Sequence, residues 1–223
     1  MGKLSIVATP IGNLEDITLR ALRTLKECDV IYSEDTRVTA KLLARYEIKK
    51  PVLRLDAVTE IKKADEIIAR LEEDENIALV TDAGTPCISD PGARLVAHVR
   101  EQLPEIKIEA IPGPSAITAA LSIAGIDSCG FIFIGFLPHK KGRQTALKKI
   151  AENEMPTVLY ESPHRILKLL KELENIHSSR VIIAREITKI HEEIISGTPD
   201  ELIRHFNDCP DTIRGEFVVI VAP

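Results

Sequence analysis

Three short segments hold the residue types that most constrain a backbone next to a ligand. The richest is Val80-Thr-Asp-Ala-Gly-Thr-Pro-Cys-Ile-Ser-Asp-Pro-Gly92, where residues 82–92 contain two glycines, two prolines and two aspartates. An ordinary strand-to-helix turn needs one Gly or Asp, so this density reads as a ligand loop. Thr9-Pro-Ile-Gly-Asn13 and Ile111-Pro-Gly-Pro-Ser115 repeat the pattern. Each follows an apolar run, and open α/β sheets bind ligands at the carboxyl ends of their strands. None of the three fits Gly-x-Gly-x-x-Gly, and the chain has no Gly-x-x-x-x-Gly-Lys-Ser/Thr. A ligand gripped through its pyrophosphate is therefore not expected.

The elements that would carry these loops follow from apolar periodicity. In the first half, Leu4–Ala8, Asp29–Tyr32, Val52–Leu55, Ile77–Val80 and Ile106–Ile111 read as strands. Amphipathic stretches at Ile17–Leu25, Thr39–Tyr46, Lys63–Leu71 and Ala93–Leu103 alternate with them. That alternation predicts an α/β fold with a parallel sheet. Ala116–Ala124 carries no charge, which predicts a helix buried on all sides at a domain junction. The boundary is placed near residue 113, giving domains 1–112 and 113–223. In the second half, Phe131–Phe136, Thr157–Tyr160, Arg180–Arg185, Glu193–Ser196 and Glu216–Val221 read as strands. Helices are expected from about Gly142, from a Ser162-Pro163 start to about Leu173, and from the capping box Thr198-Pro-Asp-Glu201. Connections as short as Glu186–Glu192 cannot hold a helical crossover, so this second sheet should be mixed, with antiparallel pairs.

Charge narrows the partners. The 223 residues carry a formal net charge of −5. Residues 1–112 hold 16 Lys and Arg against 20 Asp and Glu, and residues 113–223 hold 13 against 14. Neither half is basic, so any nucleic-acid contact must come from local patches. His139-Lys-Lys-Gly-Arg143, with Lys148 and Lys149 beyond it, is the best such cluster. Four scattered cysteines and six dispersed histidines give no metal or disulfide pattern. No apolar run reaches the ~20 residues of a membrane span. The opening Met-Gly-Lys-Leu-Ser-Ile-Val enters a strand pattern directly, and a cytoplasmic location is expected.

Six blocks in order resemble one family: Leu4-Ser-Ile-Val-Ala-Thr-Pro-Ile-Gly-Asn13, Tyr32-Ser-Glu-Asp-Thr-Arg37, Thr81-Asp-Ala-Gly-Thr-Pro86, Ile111-Pro-Gly-Pro-Ser-Ala116, Gly135-Phe-Leu-Pro138 and Tyr160-Glu-Ser-Pro-His-Arg165. Together they look like the tetrapyrrole (corrin/porphyrin) methylase superfamily, in its branch that methylates small-subunit ribosomal RNA. The resemblance runs end to end. It implies a two-domain α/β homodimer that binds S-adenosylmethionine in the cleft between its domains. It also implies methylation of a cytidine ribose 2′-oxygen in the decoding region of 16S rRNA. Carried over, the cofactor contacts fall on Pro10, Asp82, Ala83, Gly84, Thr85, Ile88, Ser115, Ala116 and Tyr160. Gly84-Thr85-Pro86 stands where many relatives have Gly-Asp-Pro, which leaves the main polar contact open between Thr85 and Asp82.

A ribose hydroxyl is a poor nucleophile, so a base or charge stabiliser should sit beside it. The sequence singles out none. Glu161, Arg185 and Lys189 are the catalytic candidates, with Asp35 and Glu186 beside them. Arg37, Lys140, Lys141, Arg143 and Arg165 are the candidates for substrate phosphates. Two other readings remain at this point: a methyltransferase for a tetrapyrrole precursor, and an inactive ribosome-associated RNA-binding protein.

Overall fold

The computed structural model describes residues 2–127, 129–176 and 180–223. The chain divides into two compact units, Met1–Ser115 and Ala116–Pro223.

In the first unit, β1 (Lys3–Val7), β2 (Val30–Ser33), β3 (Val52–Arg54), β4 (Ile77–Val80) and β5 (Lys107–Ile111) form a sheet in the order β3-β2-β4-β1-β5. All four of its strand pairs are parallel. The helices α1 (Leu19–Glu27), α2 (Thr36–Arg45), α3 (Glu60–Glu72) and α4 (Ala93–Gln102) make the crossovers. Ala21 and Leu25 of α1 pack with Leu42 and Leu43 of α2 on one face of the sheet. Ala64, Ile67 and Leu71 of α3 pack with Leu95 and Val99 of α4 on the other. β4 is buried along its whole length because both faces are covered. Its four residues Ile-Ala-Leu-Val are therefore apolar without alternation.

Two helices begin earlier than their apolar patterns. α2 starts at Thr36 because Asp35 caps it, accepting the Arg37 backbone N–H. α3 starts at Glu60, in a turn closed by the Asp56 carboxylate, which accepts the Val58 and Thr59 N–H groups.

The second unit holds α5 (Ala116–Ile123), β6 (Ile132–Phe136), α6 (Arg143–Glu152), β7 (Thr157–Glu161), α7 (Ile166–Asn175), β8 (Arg180–Arg185), β9 (Glu193–Gly197), α8 (Pro199–Asp208) and β10 (Phe217–Ala222). Its sheet is mixed, in the order β6-β7-β10-β8-β9. Only β6 and β7 run parallel; β10 pairs antiparallel with β7 and β8, and β8 with β9. The register of β6 shifts between Phe133 and Phe136, at Gly135 with φ 65°. The Thr198–Glu201 capping box forms with both of its hydrogen bonds.

Two expectations are corrected in this unit. Ser162-Pro163 does not start α7. The Ser162 carbonyl accepts both the Arg165 and Ile166 N–H groups, closing a turn, and the helix begins at Ile166 with Arg165 as its cap. Nor is α5 buried all round: Ile117, Ala120 and Leu121 are covered, whereas Ile123 is 43% exposed. Lack of charge allowed burial there without enforcing it. No helix among the described residues is long and apolar enough to cross a membrane.

Candidate functional site

Sheet order explains why three loops distant in sequence meet. β1 lies between β4 and β5, so the segments leaving their carboxyl ends are neighbours. Thr9 and Gly84 exchange backbone hydrogen bonds, Thr9 N–H to Gly84 O at 2.9 Å and Gly84 N–H to Thr9 O at 3.0 Å. The Thr9 hydroxyl also donates to the Thr81 carbonyl at 3.1 Å. Thr85 Oγ1 donates to the Pro114 carbonyl at 3.4 Å, tying in the third loop. Gly113 lies against Ala8, where an added Cβ would come within 3.1 Å of the Ala8 Cβ.

The loop from Asp82 to Gly92 is held in costly backbone conformations. Gly84, Cys87, Ser89 and Gly92 have φ of 83°, 71°, 64° and 125°. Non-glycine residues with positive φ persist only where the surroundings fix them, and they gather at functional sites. At Gly92 a Cβ would fall 2.7 Å from both Cys87 Sγ and Leu79 Cδ2. At Gly84 the nearest atom to a Cβ is 3.5 Å away, so backbone conformation more than crowding demands glycine there. Pro10 is buried, Thr85 and Ser115 half-buried, and Ala83 and Ile88 exposed. Burial pushes the Cys87 thiol up to about 11, leaving it protonated near neutral pH.

Carboxylates line the same sheet edge. Asp82 accepts the Asp35 N–H at 3.0 Å, and Thr81 Oγ1 donates to Glu34 at 3.4 Å. Burial, then the charge of Asp82, raises the Glu34 pKa. Burial, then the charge of Glu34, pushes Asp90 up to about 6 despite the Thr81 hydroxyl. Acids that resist ionisation together would be relieved by a cation. Glu34 was not picked out by sequence, where it is one acid among many, and Asp90 entered only as one of the two aspartates of the loop. Glu60 was missed as well. It is 4% exposed. Its Oε1 accepts the N–H groups of Gly92, Arg94 and Leu95 at 2.9, 2.8 and 3.0 Å. A carboxylate from α3 thus caps α4 and fixes the downstream end of the loop.

In the second unit the expected polar residues are mostly engaged with one another. Glu161 is 2% exposed, and its Oε1 accepts the Ser162 N–H at 2.8 Å and pairs with Arg165 Nε at 3.1 Å. Arg143 Nη2 is 3.8 Å from Glu161 Oε2 and 2.6 Å from Glu172. Arg143 is itself 3% exposed, so it is removed from the residues that could face a phosphate. Its proximity in sequence to Lys140 and Lys141 concealed a side chain pointing inward. Both arginines also grip the chain after β6: Arg165 Nη2 donates to Leu137 O at 2.6 Å, and Arg143 Nη1 to Pro138 O at 3.3 Å. Lys140 and Lys141, beyond this clamp, are exposed. Tyr160 sits with its ring centroid 5.1 Å from Phe133 and 5.5 Å from Phe136.

Arg185 is 7% exposed and pairs with Glu193 at 2.5 Å. Lys189 Nζ lies 2.8 Å from Glu186 and 3.1 Å from Glu216. Burial alone would lower the Lys189 pKa, but these two carboxylates outweigh it and hold the ammonium above its usual value. Lys189 is therefore a fixed cation and not a base at neutral pH. In the first unit, Arg37 is exposed and bonded to Asp35, whose carboxyl it holds far below the usual range.

Comparison with known proteins matches residues 3–203 to the family described as Tetrapyrrole (Corrin/Porphyrin) Methylases. A protein of Thermotoga maritima named ribosomal RNA small subunit methyltransferase I is 48% identical over 100% of this chain and 99% of its own. One of the same name from Borrelia garinii subsp. bavariensis is 44% identical over 98% of each chain. Among solved structures, a cobalt precorrin-4 methyltransferase superposes with TM-score 0.70 at 22% identity, covering 99% of this chain and 94% of its own. A diphthine synthase superposes with TM-score 0.74 at 17% identity, covering 99% and 90%.

Proposed function

The chain belongs to the ribosomal RNA small-subunit methyltransferase I group of the tetrapyrrole methylases, and from that membership we propose that it methylates the ribose 2′-oxygen of a cytidine in the decoding region of 16S rRNA, with S-adenosylmethionine as donor. The observation that carries the donor site is the junction of the β1, β4 and β5 loops around the Thr9–Gly84 bridge. Pro10, Asp82, Ala83, Gly84, Thr85, Ile88 and Ser115 are the residues of this unit that would hold it. Ala116 and Tyr160 join them on the family resemblance. The residues fit such a ligand: small side chains and strained backbone allow close approach, and Glu34, Asp82 and Asp90 suit a cation. Bound, the donor supplies a methyl group activated by a positively charged sulfur.

Holding the acceptor oxygen in line with that methyl accounts for much of the expected acceleration. Lys189 and Arg185 would supply fixed positive charge beside the reacting ribose. Glu161, locked between two arginines, would position the chain after β6 and not take a proton. Arg37, Lys140, Lys141 and Arg165 would meet phosphates. The name carried by full-length relatives favours RNA as substrate, and the family resemblance adds a homodimer in the cytoplasm. The test supplies the purified chain with donor labelled in its methyl group, together with small-subunit rRNA or assembled subunits. Label on a cytidine 2′-oxygen is expected. Label on a base, transfer to a tetrapyrrole precursor in place of RNA, or no transfer would overturn the reading.

A further inference from the structure

We propose that the face of the first unit formed by α1 and α2 is a second RNA-binding surface, which runs from Arg37 beside the cofactor loops outward over both helices and engages phosphates. The charge balance of each half conceals a segregation of sign that the fold creates. α1 and α2 carry Arg20, Arg23, Lys26, Arg37, Lys41 and Arg45 against Glu27 alone. On the opposite face, α3 and α4 carry Lys62, Lys63, Arg70, Arg94 and Arg100 against Glu60, Asp65, Glu66, Glu72 and Glu101. One side of the sheet is thus strongly positive and the other balanced.

Helical geometry turns those charges outward. α1 buries Ala21, Thr24 and Leu25, and α2 buries Thr39, Leu42 and Leu43. Arg37, Lys41 and Arg45 recur every four residues on the side away from that core, and Arg20, Arg23 and Lys26 every three. All six are exposed. Among the described residues, Arg23, Lys26, Lys41 and Arg45 have no carboxylate partner, whereas Arg70 on the balanced face pairs with Glu66 and Glu75, and Lys62 has Asp65 and Glu66 three and four residues along the same helix. Like charges four residues apart destabilise a helix by a few tenths of a kcal/mol, so the row on α2 is not there for its own stability.

The two helices are linked at one end. Tyr46, at the end of α2, donates its hydroxyl to the Leu14 carbonyl ahead of α1 at 2.6 Å. Arg45 lies over the Tyr46 ring, 6.0 Å from its centroid. Lys49 extends the positive edge just beyond. Exposed cations that outnumber their acids, four of them without a carboxylate partner among the described residues, fit a phosphate backbone, where each neutralised phosphate releases a counterion. Such groups position RNA without reading its sequence. An overall acidic chain could then hold a large polyanion while its cofactor edge stays acidic.

This inference rests on RNA being the substrate, and its test separates the two. Equilibrium binding of the full chain to small-subunit rRNA is measured between about 50 and 200 mM salt. The triple variant Arg23→Ala, Lys41→Ala, Arg45→Ala should lower the slope of log affinity against log salt by about 2 to 3, at roughly 0.7 (single strand) to 0.9 (duplex) for each phosphate left without its cation. Its affinity for S-adenosylmethionine should be unchanged. A control variant, Lys62→Ala, Arg94→Ala, Arg100→Ala, removes the same charge from the opposite face and should leave the slope as it was. The single change Lys41→Glu should act in the same direction as the triple variant and guards against misfolding. An unaltered slope in the α1–α2 variants, or an equal fall in the control, would overturn the inference while leaving the substrate intact. No rRNA binding by the unaltered chain would defeat both.

Discussion

A carboxyl group with a folded pKa near 6, as Asp90 has, is charged above that pH and neutral below it. An unfolded chain would release the same proton near 3.9. Between those values the folded state holds more protons, so Asp90 takes stability away as pH rises through the interval and changes nothing further above it. A cationic ligand reverses the preference, because it is drawn to the ionised acid. Donor affinity should therefore rise from pH 5 to pH 7, and Asp90→Asn should flatten that rise. Calorimetry across this range checks it; a pH-independent affinity in the unaltered chain would separate Asp90 from the donor. Gly84 also belongs to this scale. With φ at 83°, any Gly84→Val variant strains the backbone, so impaired binding in it would report conformation as well as occupied space.

The elements show how ion pairs place loops. α6 and α7 are joined by Arg143 and Glu172, with Glu161 at the end of β7 between Arg143 and Arg165. Removing one member leaves buried charge unpaired, at a typical cost of about 3–5 kcal/mol. Arg143→Ala should accordingly lower the denaturation midpoint strongly, and Arg143→Met with Glu172→Leu should recover part of the loss. Chemical denaturation measures both. A small effect from Arg143→Ala would mean the pair is wetter than its 3% exposure indicates. Most elements were legible from apolar periodicity, including every strand of both sheets. The early start of α2 and the turn at Ser162–Arg165 were not, since each depends on a hydrogen bond from outside the apolar pattern. Glu60 was invisible for a related reason: its three bonds reach across more than thirty residues.

Over the whole molecule, net charge and charge distribution make different predictions. A chain of net −5 with evenly spread charge should pass an immobilised polyanion. With its positive groups gathered on α1 and α2, this one should be retained on heparin at low salt and released as salt rises. Elution in the wash would count against a concentrated basic face. The sequence alone determined the strand and helix pattern, the parallel and mixed sheets, the three glycine- and proline-rich loops, and the family resemblance. Those are properties of neighbours along the chain, where periodicity and restricted dihedrals act. Tertiary structure alone decided the order β4-β1-β5 that joins the loops, the inward turn of Arg143, the capping of α4 by Glu60, and the separation of charge between two faces. Each depends on which side of a sheet an element packs against, and local sequence carries no record of that choice.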